Sequence, residues 1–231
     1  MKKIFVGVFT VFCVAIIVII IHQKRQHSIF QNRVFQQLTE LLKNSNVQYI
    51  QEDTILSYLN DGDIICRLGD RIWSMYFKEL SPNDKKFSHL GIVRIRNNTV
   101  SVINAEGLAN GRKDFVNEVS LKDFMECAQK IGIYRLKNIE GEIVSNTALK
   151  YIGVPFDWQF DMEDNSKLYC SELLYVILKK TDQEIVLNKV FIKEMGKNII
   201  PLDVCSQSEY FTEIGYWEKN TFLARRTESK Y

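Results

Sequence analysis

The chain has 231 residues, 46% hydrophobic and 25% charged, with a formal net charge of +2, enough for one domain with a real core plus appendages. The near-balanced charge removes any broad electrostatic case for nucleic acid as a partner, and 14 Phe with 10 Tyr exclude a disordered chain. Five cysteines (Cys13, Cys66, Cys127, Cys170 and Cys205) stand at irregular spacing without a C-x-x-C pair, which argues against a disulfide framework and against a zinc or other metal centre.

Lys2 and Lys3 precede an apolar run, free of charge and proline, from Ile4 to Ile21. As a helix it would be roughly 27 Å long, close to a hydrocarbon core of about 30 Å. The run is long for the hydrophobic stretch of a secretory signal, and no small-x-small cleavage site follows it. Thr10, Val11 and Phe12 before Cys13 do not form a lipobox. Residues 1–27 are therefore expected to be an uncleaved membrane anchor. Positive charges flank both ends and nearly balance. A short basic N-terminus followed by a long C-terminal domain is the usual form of an N-in anchor, which would place the domain on the extracytoplasmic side.

Residues 28–60 are expected to connect anchor and domain, with a helix from Ser28 to Lys43 carrying Phe30, Val34, Leu38, Leu41 and Leu42 at helical spacing. The turn signal Asp61-Gly62-Asp63 opens the domain, expected over 61–231, and leads into a strand at Ile64–Leu68. Arg71 to Leu80 predicts an aromatic-rich helix broken by Ser81-Pro82. Phe87 to Arg96 predicts a strand, Asn97-Asn98 a hairpin turn, and Val100 to Ala105 the partner strand. Gly107 to Asp114 reads as a loop. Ser120 caps a short helix reaching Gln129, Ile131–Leu136 reads as a strand, and Glu142–Tyr151 as a helix ending at Gly153. Leu168–Lys180 predicts a strong helix; beyond it the pattern mixes short elements.

Cys170 lies at the start of that last helix. Unpaired N–H groups and the helix dipole stabilise a thiolate there, which is expected to lower its pKa below the free value of about 8.5. The same N–H groups can form part of an oxyanion hole. Of the three histidines, His22 and His27 adjoin the apolar run, whereas His89 opens a strand, a rigid support for a general base. The third member of such a site orients the imidazole. Glu106, at the end of the partner strand, is the first candidate; Asn104, two residues earlier on the same face, is the second.

Three segments recur together: Gly62-Asp63-Ile64-Ile65, Ser88-His89-Leu90-Gly91-Ile92 and Tyr169-Cys170-Ser171-Glu172-Leu173. Between the last two lies Gly153-Val154-Pro155-Phe156-Asp157-Trp158-Gln159-Phe160-Asp161. This set resembles the YiiX-like permuted papain-like amidases of the circularly permuted NlpC/P60 superfamily, in which the His strand precedes the Cys helix. The resemblance spans about residues 60–180. It implies an α+β papain-like fold, an antiparallel sheet packed against the helix that bears the nucleophile. It also implies amide or ester hydrolysis through a thioester without metal or cofactor. By position Cys170 would be nucleophile, His89 base and Glu106 the orienting group, with Tyr169 and Asp157 near the substrate pocket. A lipid-directed acyltransferase or phospholipase would suit the same Cys–His pair and a membrane tether. A non-catalytic binding module of the same fold would leave Cys170 unreactive. The partners implied are a small-molecule, peptide or lipid amide or ester, and a membrane through the N-terminal run.

Overall fold

The computed structural model describes residues 50–107, 114–126, 128–182, 184–193 and 195–218. The expected anchor and the helix expected at Ser28–Lys43 lie outside them. Among the described residues no helix is long and apolar enough to cross a membrane.

Eight strands and four α-helices follow one another as β1 (Ile64–Gly69), α1 (Ile72–Glu79), β2 (His89–Arg96), β3 (Thr99–Glu106), β4 (Phe115–Ser120), α2 (Leu121–Met125), β5 (Ala128–Leu136), α3 (Gly141–Leu149), α4 (Cys170–Thr181), β6 (Val190–Ile192), β7 (Lys197–Ile199) and β8 (Phe211–Glu218). Six of the strands form one antiparallel sheet in the order β4-β3-β2-β1-β5-β8, and β6 pairs with β7 alone. This is the mixed helix-and-sheet architecture, with an antiparallel sheet, that the sequence predicts.

The β2–β3 turn is made by Asn97 and Asn98 at φ 50° and 61°, the left-handed pair that a two-residue hairpin of right-handed twist demands and that asparagine tolerates. The hairpin sets Ile92 opposite Ile103 and Arg96 opposite Thr99. On the other edge of β2, Arg67 of β1 stands opposite His89 and Cys66 opposite Leu90. Both faces of the sheet are covered, so its central strands are buried almost throughout rather than in alternation. On one face Ile64, Cys66, Leu90, Ile92, Ile103 and Ala105 pack with Val144 and Ala148 of α3 and with Leu173, Leu174 and Ile177 of α4. On the other, Ile65, Val93 and Val102 pack with Leu121, Phe124 and Met125 of α2 and with Ile55 and Leu59.

Three elements depart from expectation. The helix after Ser120 ends at Met125 and the next strand already begins at Ala128; Ser120 does cap it, its side chain accepting from the Asp123 N–H at 3.0 Å. The last long helix begins at Cys170 rather than Leu168. Leu168 instead accepts from the Asp157 N–H and donates to Pro155 O. The unassigned stretch after residue 114 is the edge strand β4, and the backbone of 153–156 runs along it through Val116 N–H to Val154 O, Gly153 N–H to Val116 O and Phe156 N–H to Asp114 O. That segment covers an edge otherwise open to pairing and leads to the residue before the nucleophile candidate.

Gly91 leaves no room for a side chain against β3. A Cβ there would meet Val102 Cγ1 at 2.5 Å, Ile103 O at 3.1 Å and Asn104 Cβ at 3.1 Å. Gly91→Ala is expected to lower stability by about 1–3 kcal/mol through overpacking, measured as a shift in urea midpoint at unchanged slope.

Candidate active site

Cys170 is the first residue of α4, and its flanking residues fix where the helix begins. Tyr169, the N-cap, turns its ring into the core, and its hydroxyl accepts from the Ile200 N–H at 2.8 Å. The Ser171 hydroxyl donates to Ile200 O at 2.6 Å. Both polar groups of one backbone unit, in the segment just after β7, thus hold the residues either side of Cys170.

The pairing of β2 with β3 runs from Arg96–Thr99 to Ile92–Ile103 and stops short of His89. The N-terminal end of α4 meets this opening. The backbone N–H groups of Leu90, Ser171 and Cys170 itself act on the Cys170 thiol and favour its charged form. Burial nevertheless outweighs these three donors and, with the nearby negative charge of Glu106, pushes the thiol up to about 11. The lowered thiol expected from a helix start is thus reversed, because removal from water disfavours the charged form more than the three N–H groups favour it.

His89 is partly exposed at the start of β2. Its Nε2 lies 2.9 Å from Asn104 Oδ1. That oxygen can only accept, so in the neutral ring Nε2 carries the proton and Nδ1 keeps its lone pair. Asn104 is fully buried. Its amide donates to Asn117 Oδ1 at 3.3 Å, and the Asn117 amide donates to Phe115 O at 3.3 Å. Register places Asn104 directly opposite Asn117, so the ring is anchored to the edge strand through two side-chain amides.

Glu106, the first candidate for orienting the ring, is paired elsewhere. Its carboxylate lies 2.5 Å from Arg67 Nη2, and the ring's hydrogen-bond partner is the second candidate, Asn104. The reason is strand geometry: Glu106 meets an arginine that reaches across from β1, and the shorter Asn104 side chain meets the ring edge. Arg67 Nη1 also donates to Phe124 O at 2.7 Å, and its guanidinium sits 4.9 Å from the Phe124 ring centroid. The same ring lies 5.6 Å from the His89 ring. Burial, then the positive charge of Arg67, depress His89 to about 4, with Glu106 and Asn104 opposing. Burial raises Glu106, but Arg67 and His89 together bring it below the usual glutamate range.

Asp157 and Tyr169, expected at the pocket, are 1% and 2% exposed, enclosed supports rather than surfaces open to a ligand. Asp157 accepts from the Gln159 N–H at 2.8 Å and from the Asp161 N–H, which holds Phe160 between them at φ 53°. The Phe160 ring then lies 5.1 Å from that of Tyr169. Arg67, Asn117, Phe124 and the Leu90 N–H were not foreseen. Arg67 offered one signal, a lone charge inside the apolar strand Ile64–Leu68.

Glu172, one turn into α4, is 1% exposed and accepts from the Tyr169 N–H at 3.4 Å. Burial, reinforced by the carboxylates of Asp157, Asp161 and Asp164, raises it to about 8. A glutamate of the unfolded chain titrates near about 4.3, so the unfolded state loses its proton first. The fold is favoured below that value, and stability falls as pH rises through about 8. Glu172→Gln is expected to flatten this decline and to be more stable than the parent at pH 8, measured by urea denaturation across the range.

A family model described as a permuted papain-like amidase enzyme (YaeF/YiiX, C92 family) matches residues 58–220. The uncharacterized protein YiiX of Escherichia coli K12 is 28% identical over 123 residues, which cover 50% of this chain and 55% of that protein. The chain thus spans about half the length of this curated relative. A crystal structure of YiiX from Escherichia coli O157:H7, described as a metalloprotein, superposes with a TM-score of 0.56 at 19% identity, covering 67% of this chain and 95% of that one. This last likeness is one of fold.

Proposed function

We propose, on the premise that this chain belongs to the permuted papain-like amidase family and is a cysteine-type hydrolase in the general sense, that Cys170 is its nucleophile, His89 its base and Asn104 the group that orients His89. The observation that carries this reading is the bond from His89 Nε2 to the buried Asn104, at 2.9 Å. It leaves Nδ1 with a lone pair on the residue directly preceding Leu90, whose backbone N–H favours the charged form of the Cys170 thiol.

Because the thiol is held high and the imidazole low, the resting pair is neutral. The Cys170 proton passes to Nδ1 as sulfur attacks the carbonyl carbon. The carbonyl electron pair moves to oxygen, and backbone N–H groups at the start of α4 stabilise the oxyanion. Collapse of that intermediate breaks the bond to the leaving amine or alkoxide, which takes the proton from His89. Water, deprotonated by His89, then resolves the thioester. An acyl acceptor other than water would make the same site an acyltransferase; lipid and peptide amides or esters are the substrate classes to screen. Tethering by the apolar N-terminal run, with the domain outside the cytoplasm, belongs to the same proposal. The metal named in the YiiX description finds no donor set here: among the described residues no three His, Cys, Asp or Glu side chains gather to hold an ion.

Incubation with an activated ester and mapping of the acyl adduct by mass spectrometry tests the assignment. Acylation is expected at Cys170, absent in Cys170→Ala with folding retained, and slowed at least about 100-fold in His89→Ala. Asn104→Ala is expected to slow acylation more than Glu106→Gln; the reverse ranking would return the orienting role to Glu106. Acylation at a residue other than Cys170 would falsify the reading as a whole. With His89 held near about 4, acylation is also expected to persist to lower pH than a free imidazole, titrating near about 6.5, would allow. Rate–pH profiles of the single-turnover step measure this.

A further inference from the structure

Arg67, His89 and Glu106 occupy three adjacent strands. Register places Arg67 of β1 directly opposite His89 of β2, and Arg67 Nη2 reaches past that strand to Glu106 on β3, at 2.5 Å. The ion pair therefore bridges the strand that carries the base. The guanidinium is fixed at several points: Nη1 donates to Phe124 O at 2.7 Å and Glu126 O at 3.4 Å, and its plane lies over the Phe124 ring, which also faces the imidazole. At 13% side-chain exposure for Arg67 and 24% for Glu106, solvent screens this arrangement far less than a surface pair.

We propose that Arg67 is a positioning residue whose charge, balanced by Glu106, keeps the His89 imidazole uncharged until a substrate is attacked; this rests on His89 being the base for Cys170. A cation beside the ring disfavours the imidazolium, so proton transfer from the thiol waits for the developing negative charge on the substrate oxygen. Glu106 limits the effect. Alone, Arg67 would make the imidazole too weak a base; alone, Glu106 would favour a standing imidazolium, which cannot take the proton of the thiol. The charged groups facing the imidazole are Arg67 from β1 and Glu106 from β3. Arg71, ahead of α1, acts on Glu106, and Glu106 acts in turn on Cys170 at the start of α4.

The chain has three histidines, so imidazole titrations by NMR on the full-length, histidine-labelled protein resolve His89, assigned by the signal lost in His89→Gln. Arg67→Met is expected to raise the His89 midpoint by about one unit or more, since it removes a cation and leaves a carboxylate. Glu106→Gln is expected to lower it or leave it at the bottom of the accessible range. Arg67→Lys, which keeps the charge, is expected to stay near the parent value. A purely structural role would move both Arg67 variants alike. An unmoved midpoint in Arg67→Met, or a rise in Glu106→Gln, overturns the proposal; the second outcome stays decisive even if Arg67→Met does not fold. Iodoacetamide rates at Cys170 in the parent and in His89→Ala, taken on the same preparations, report separately on the Cys–His pairing. Equal rates there would refute the pairing while the titrations still decide the role of Arg67.

Discussion

The start of α4 meets the sheet at the opening beyond the last β2–β3 pair, Ile92–Ile103. Within an antiparallel ladder each inward N–H is taken by the neighbouring strand. Past that pair the Leu90 N–H acts on the thiol of Cys170 instead. Everything else near the site serves to keep the helix start at that place. Tyr169 and Ser171 are tied to the two polar groups of Ile200. The segment 153–156 is tied along β4, and Asp157 shapes the turn that presses Phe160 on Tyr169. The chain after residue 180, most of which the family model also covers, thereby contributes directly, through Ile200 and through β8 on the far edge of the sheet.

Electrostatics at this junction run against a simple helix-end picture. A helix start favours a thiolate by fractions of a kcal/mol to about 2 kcal/mol, whereas burial of a charge costs more unless it is paired. The balance falls on the neutral side for both Cys170 and His89. The Cys–His pair proposed for the chemistry is therefore uncharged at rest, and the charges nearest to it, Arg67 and Glu106, are matched to each other. Glu172 follows the same rule deeper in the helix: enclosed and close to other carboxylates, it holds its proton well above the usual range.

The sequence by itself determined the local elements and the order of the chemistry-bearing residues. Short apolar runs and turn residues place β1, β2, β3 and their hairpin, because a two-residue turn with asparagines in the left-handed region fixes the pairing register on its own. The apolar period of α4 and the Cys at its start were equally legible, as was the family to which the motif set belongs. Strand β4 was not, since Asn117 and Glu118 interrupt its pattern and its pairing depends on a partner 13 residues away in the Asn104–Asn117 register.

Which polar group meets the imidazole could not be decided by position along β3. Asn104 and Glu106 share a face, and the choice falls to side-chain length and to Arg67, a residue 37 positions earlier than Asn104 in the chain that captures the longer carboxylate. Likewise Asp157 and Tyr169 stand near the nucleophile in sequence, but only packing shows them enclosed. Local periodicity determines elements because it acts between neighbours in the chain. The protonation states and partners at the site depend on which distant side chains are brought within a few ångströms and removed from water, and only the tertiary structure decides that.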